Sequence, residues 1–227
     1  MNSGACMIIG VTTFLLISVP ASSQESIRFS DVDPELSRYG TVSWEARWTN
    51  NVIPVCWVSM GPDHEEERGW VRQAIADTWE ANSNVRFTGW SHCAKNPSGI
   101  KIKIDDSNPR SHVGKDSQAK NPSMWLNFSF MSWSPSCQSN RKSCIISIAA
   151  HEFGHAIGFQ HEQLHPDASP ECKEHLQRTG QWEWPTGHET TLTSYDPDSI
   201  MNYCNAVYNN NGKLSQKDIK SVKILFP

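Results

Sequence analysis

The chain lacks any excess of basic charge: its 227 residues carry a formal net charge of −4. Without a basic stripe or patch there is no electrostatic footprint for nucleic acid. Sustained heptads, internal repeats and low-complexity tracts are also missing. No apolar run reaches the about 20 residues needed to cross a bilayer, so stable membrane insertion is not expected. Nor does any CxxC pair occur, which excludes a cysteine-rich zinc ribbon. What is present is 37% hydrophobic residues and ten tryptophans, enough to build the core of one domain with at most a small annex.

The first stretch stands apart. Met7 to Val19 is almost continuously apolar and runs into Pro20-Ala21-Ser22-Ser23, although no Lys or Arg precedes it. A short apolar core ending in small residues is the pattern of an export signal, expected over residues 1–23 and pointing to a secreted protein. Residues 24–47 are polar, contain Pro34 and Gly40, and read as a linker or short prosegment. Residues 48–227 then hold the folded domain. Cys6 leaves with the signal, and the remaining six cysteines imply disulfides in an exported chain. Several pairings are open; spacing favours Cys137 with Cys144 and Cys172 with Cys204, leaving Cys56 with Cys93.

Periodicity places the elements. Val52 to Val58 is β-rich, and His64 to Asn82 repeats apolar residues at helical spacing. Glu65, Glu66 and Glu67 suit the positive end of that helix. Val85–Trp90 and Ile100–Ile104 read as strands, the second with one apolar and one charged face. Met124 to Phe130 alternates again and reads as a strand. Ile145 to Phe159 reads as a largely apolar helix. Prolines at 166, 170, 185 and 197 then break the pattern until Leu214–Phe226, where Ser215 and Asp218 can cap a final helix.

Residues 151–161 spell HEFGHAIGFQH. On a helix, His151 and His155 leave one face about 6 Å apart, so both imidazoles can reach one Zn²⁺. His161 cannot join them if the helix continues, because six more residues add about 9 Å along its axis. The helix must end and turn back, a task suited to Gly158. Three histidines leave a fourth position for water, and Glu152 lies beside it. Glu152 would take a proton from that water and pass it to a leaving amine.

HExxHxxGxxH followed by Ser199-Ile200-Met201-Asn202-Tyr203 resembles the metzincin peptidases. Glu162 after the third histidine, together with Tyr203, is similar to the astacin family. The resemblance covers roughly residues 48–227, with Trp48, Ile53-Pro54 and Ser111-His112-Val113-Gly114 as further points of likeness. It implies an α+β zincin fold with an N-terminal twisted, mostly parallel sheet and two helices. An irregular C-terminal subdomain would carry a methionine turn and the final helix. It further implies a secreted zinc endopeptidase acting on protein or peptide substrates with one catalytic Zn²⁺. His151, His155 and His161 would be the metal ligands, and Glu152 and Tyr203 the catalytic residues. Tyr203 would be a movable ligand that stabilises the oxyanion, Met201 a hydrophobic floor, and Glu162 a partner of the mature N-terminus. An extended substrate would pair with the 124–130 edge.

Other residues receive plainer readings. His165 stands where relatives often have Arg and reads as a surface or subsite residue. His64, His92, His112, His175 and His188 have no partner spacing. Phe29-Ser30-Asp31 partly matches an inhibitory aspartate motif, with Arg38 as a cleavage point. Asn127-Phe128-Ser129 is a glycosylation sequon inside a candidate strand. Two rival functions are a zinc-stabilised binding module and a zinc hydrolase of a non-peptide amide or ester. Oligomeric state is left open.

Overall fold

The computed structural model describes residues 39–60, 63–180 and 189–227. The export signal, the Asp31 motif, the Arg38 cleavage point and His188 lie outside them. Tyr39–Ser43 forms β1 and Val52–Trp57 forms β2. Helix α1 spans Glu65–Ile75 and continues through a π turn to Glu80. Arg86–His92, Ile100–Ile104, Arg110–Ser111 and Met124–Leu126 are β3 to β6. Pro135–Ser139 is α2, Arg141–Ala156 α3, Pro170–Thr179 α4, Glu189–Leu192 β7 and Gln216–Leu225 α5.

Five strands make one sheet in the order β3-β2-β4-β6-β5. β2 is parallel to β3 and β4, and β4 to β6, while β5 runs antiparallel to β6. The expected mostly parallel α+β arrangement is what forms. Helices α1 and α3 pack against each other, and Trp79 Nε1 ties them by donating to the Ala150 carbonyl at 2.8 Å. From Ser147 to Ala156 every residue of α3 is buried, so this helix is core on all sides. Phe153 packs edge-on to Phe87 and stacks with Trp90, at 5.0 and 5.6 Å between ring centres. Burying Phe87 and Phe153 is worth roughly 1.5–3 kcal/mol of transfer energy each. That packing fixes the turns of α3 that carry His151 and His155.

Several expectations need correction. Strand β6 stops at Leu126, because the buried Asn127 side chain accepts from the amides of Ser129 and Phe130 and turns the chain. Phe128 and Phe130 are buried, so the alternation there reports packing and not pairing. Asn127 also donates to Asp106 and Ser107, which closes the sequon amide to modification in the folded chain. β6 is interior to the sheet, and the edge beside it is β5. Lys101, assigned to a charged face, is 1% exposed and its ammonium donates to the carbonyls of Gly99, Ser117 and Gln118.

Residues 39–47 are part of the fold. β1 pairs antiparallel with β7, the Ser43 amide donates to Gly158 at 2.8 Å, and the Gln160 amide donates to Thr41 at 2.8 Å. Trp48 Nε1 donates to the Ala156 carbonyl at the end of α3. The disulfides are Cys56–Cys93, Cys137–Cys144 and Cys172–Cys204, the pairs that spacing favoured. The last one ties α4 to the turn just after Tyr203. Among the described residues no helix is long and apolar enough to cross a membrane.

Candidate metal centre and its cleft

Helix α3 ends at Ala156, and Gly158 turns the chain back at φ 116°, a region that costs glycine little. The reversal brings His161 to the end of α3, with its Nε2 3.0 Å from Nε2 of His155. The ring atoms of His151, His155 and His161 able to hold a metal lie within 4.8 Å of one another. Two backbone carbonyls set the tautomers. Nδ1–H of His151 donates to Ile200 at 2.8 Å, and Nδ1–H of His155 donates to Phe159 at 2.9 Å. A carbonyl cannot donate, so the proton sits on Nδ1 and each Nε2 keeps its lone pair for a metal. Nε2 of His151 is buried with no hydrogen-bond partner. An orphaned lone pair beside two converging imidazoles fits a Zn²⁺ site, whose ligand nitrogens sit about 2.0–2.1 Å from the ion.

Burial governs the protonation of this centre. It holds His151 down to about 3, with the His161 charge adding to the effect, and keeps His155 well below the usual imidazole range. Both are therefore neutral ligands near neutral pH. Burial pushes the Glu152 carboxyl up to about 8, against a downward pull from Arg110. Its Oε2 has no hydrogen-bond partner. A bound cation would lower that value toward neutrality, where a general base works best.

The turn from Ser199 to Tyr203 closes the site from below. Met201 is 1% exposed and lies against Gly154, where an added Cβ would strike Met201 Sδ and come within 3.1 Å of Trp79 Cζ2. Gly154→Ala is therefore expected to cost about 1–3 kcal/mol by overpacking, measured by urea denaturation. The turn is held by Asp218 on α5, whose Oδ2 accepts from the Ile200 amide at 3.0 Å while Oδ1 accepts from Ser199 Oγ at 2.7 Å. One residue thus links the cap of α5 to the carbonyl that orients His151. The Tyr203 ring lies 4.2 Å from the His161 ring and 5.7 Å from the His151 ring, and the residue is 44% exposed.

Two residues beyond His161 are also buried. Glu162 is buried as the resemblance implied, and its oxygens accept from the amides of Thr41 at 3.2 Å and Asp196 at 2.9 Å. Burial pushes this carboxyl up to about 8. His165 is no surface residue. It is 3% exposed, its Nε2–H donates to the Thr193 carbonyl, and its Nδ1 accepts from Asp167.

Above His151 and Glu152 opens a cleft of about 640 Å³, walled by Asn108, Pro109, Trp133, Asn202, Tyr203 and Tyr208. Sequence reasoning missed Asn108, Pro109, Trp133 and Tyr208. One signal was available: Asn209, Asn210 and Asn211 all adopt left-handed φ of 44–53°, which asparagine tolerates, and they shape the wall after Tyr208.

A histidine triad with a neighbouring glutamate, at the foot of a cleft in an α+β fold, forms a site that could hold a metal ion beside a buried carboxyl. Residues 45–226 match the family of dual-action HEIGH metallo-peptidases, Peptidase M57, and the chain belongs to that family. The HEIGH of the family's description is HEFGH here, with Phe153 as its third residue. This family, and not specifically the astacins, is the one the match supports. The chain is 27% identical over 187 residues to protein SpAN of Strongylocentrotus purpuratus and 26% identical over 196 residues to blastula protease 10 of Paracentrotus lividus. Those matches take in 78% and 80% of this chain but only 27% and 30% of the relatives, so it spans under a third of their length. Its fold is similar to the structure of myroilysin, with a TM-score of 0.61 at 22% identity, over 83% of this chain and 98% of that one.

Proposed function

We propose that the protein is an exported zinc-dependent endopeptidase in which His151, His155 and His161 hold one zinc ion and Glu152 is the general base. When bound, zinc supplies Lewis-acid polarisation and lowers the pKa of a water toward about 7. Glu152 takes one proton from the attacking water through its unpartnered oxygen and delivers it to the leaving amine. Tyr203, beside His151 and His161, donates its phenolic proton toward the carbonyl oxygen as charge develops there. Met201 acts as a methionine-turn floor that keeps α3 from shifting. An extended peptide lies in the cleft and adds to the free edge at β5.

The observation that carries this reading is the convergence of three buried imidazoles, two of them with fixed tautomers, beside a buried carboxyl with one unpartnered oxygen. Three disulfides support an oxidising compartment, with residues 1–23 as the export signal and 48–227 as the catalytic domain. The test is a mixed-peptide library offered beside small amide and ester substrates, with and without a chelator. Internal peptide cleavage that the chelator stops and added zinc restores supports the proposal. Turnover confined to the small esters refutes it.

A further inference from the structure

Strand β5 is one of the two terminal strands of the sheet, paired on one side only. Its register sets Arg110 opposite Trp125 and Ser111 opposite Met124. The Leu126 carbonyl accepts from Asp105 on the β4 side, so alternation turns the polar groups of Trp125 toward β5. Arg110 then pairs inward, and the amide and carbonyl of Ser111 face the free edge. Asn108 and Pro109, just before β5, wall the cleft over Glu152. The strand therefore leads away from the reacting centre. A peptide laid antiparallel on it runs toward Glu152, with the residues preceding its scissile bond beside Arg110 and Ser111.

The position opposite Arg110 is a non-hydrogen-bonded pair, the kind in which side chains approach most closely. Arg110 is exposed and held in place. Its guanidinium lies 4.0 Å over the Trp125 ring, and Nη1 donates to the Asn108 carbonyl at 2.8 Å and to Ser107 Oγ at 3.3 Å. The nearby carboxylate of Asp105 is already matched by Lys103 at 3.0 Å. A fixed positive charge thus stands at the free edge, next to where an antiparallel substrate must pass.

We propose that Arg110 is a specificity-determining residue that selects an Asp or Glu side chain on the N-terminal side of the scissile bond. This rests on the peptidase reading above. Opposite charges on facing strand positions favour a pair by about two- to fivefold. The experiment profiles cleavage of a random peptide library by the zinc-loaded wild type and by Arg110→Lys, Arg110→Gln and Arg110→Glu. The ratio of acidic to neutral residues before the cut is read within each enzyme. Wild type and Arg110→Lys should favour acids by that factor, Arg110→Gln should lose the bias, and Arg110→Glu should turn it toward Lys and Arg. A general packing role for Arg110 would lower rates without reversing the charge preference. Cleavage with one unchanged profile in all four overturns the proposal alone. No cleavage by any of them, wild type included, overturns the peptidase reading together with it.

Discussion

Glu152→Ala is expected to lower peptide cleavage by about 10²–10⁴-fold while zinc binding persists. His151 and His155 are oriented by their helix and by the carbonyls of Ile200 and Phe159, and the Gly158 reversal brings in His161, with no help from Glu152. The variant therefore keeps its metal ligands and loses only the group that moves the proton. Stability should not fall with activity. The carboxyl is buried, one of its oxygens has no hydrogen-bond partner, and burial has pushed it up to about 8. Removing such a group relieves a desolvation penalty. Cleavage rate, zinc content and midpoint of thermal unfolding, measured on one preparation, check the three statements together. Cleavage retained within tenfold of the wild type would remove Glu152 from the mechanism.

Asp218→Ala carries the largest expected loss of stability, about 3–5 kcal/mol for breaking a buried hydrogen-bond network. The carboxyl accepts from the amides of Ile200 and Ser215 and from the hydroxyl of Ser199, so its loss orphans buried donors on two elements at once. The damage reaches the metal centre because the Ile200 carbonyl orients His151. Asp218→Asn isolates the charge. Burial, with Asp196 adding to it, pushes the Asp218 carboxyl up to about 6 from an ordinary 3.8. A raised folded value means its contribution is fully present below about pH 4 and is lost as pH rises through about 6. The wild type should thus lose about 2.4 kcal/mol between pH 4 and 7 through this group, because each pH unit separating the folded and unfolded values is worth about 1.4 kcal/mol and the unfolded carboxyl is already partly ionised at pH 4. Asp218→Asn should lack that component, which paired denaturation curves at the two pH values measure.

The metal centre was legible because HEFGHAIGFQH imposes a local geometric condition: a helix face, then a glycine reversal. Gly158, at φ 116°, makes that reversal. The cap of α5 was legible for the same local reason, and its reciprocal Ser215–Asp218 box is present. Helix α4 escapes a reading of the sequence that treats Pro170 and Gly180 as breakers. Pro170 instead occupies the first turn after the Ser169 cap, and Gly180 ends the helix in a left-handed conformation. β1 reads as linker because its partner, β7, lies about 150 residues away in sequence, a pairing that no local pattern encodes. The burial of His165 is hidden for a similar reason, since only the fold brings Thr193 to it. The cleft walls are contributed by segments around 108, 133 and 208, so the residues that discriminate substrates emerge only from tertiary structure.

If one zinc ion held by His151, His155 and His161 is required for peptide cleavage, metal-free protein must gain activity in step with added zinc. The measurement is a zinc titration of metal-free protein that follows cleavage of an internally quenched peptide. A linear rise that breaks at one equivalent is expected in the wild type, and neither tight binding nor cleavage in His155→Ala. Full cleavage well below one equivalent, or an unchanged titration in His155→Ala, would contradict that requirement.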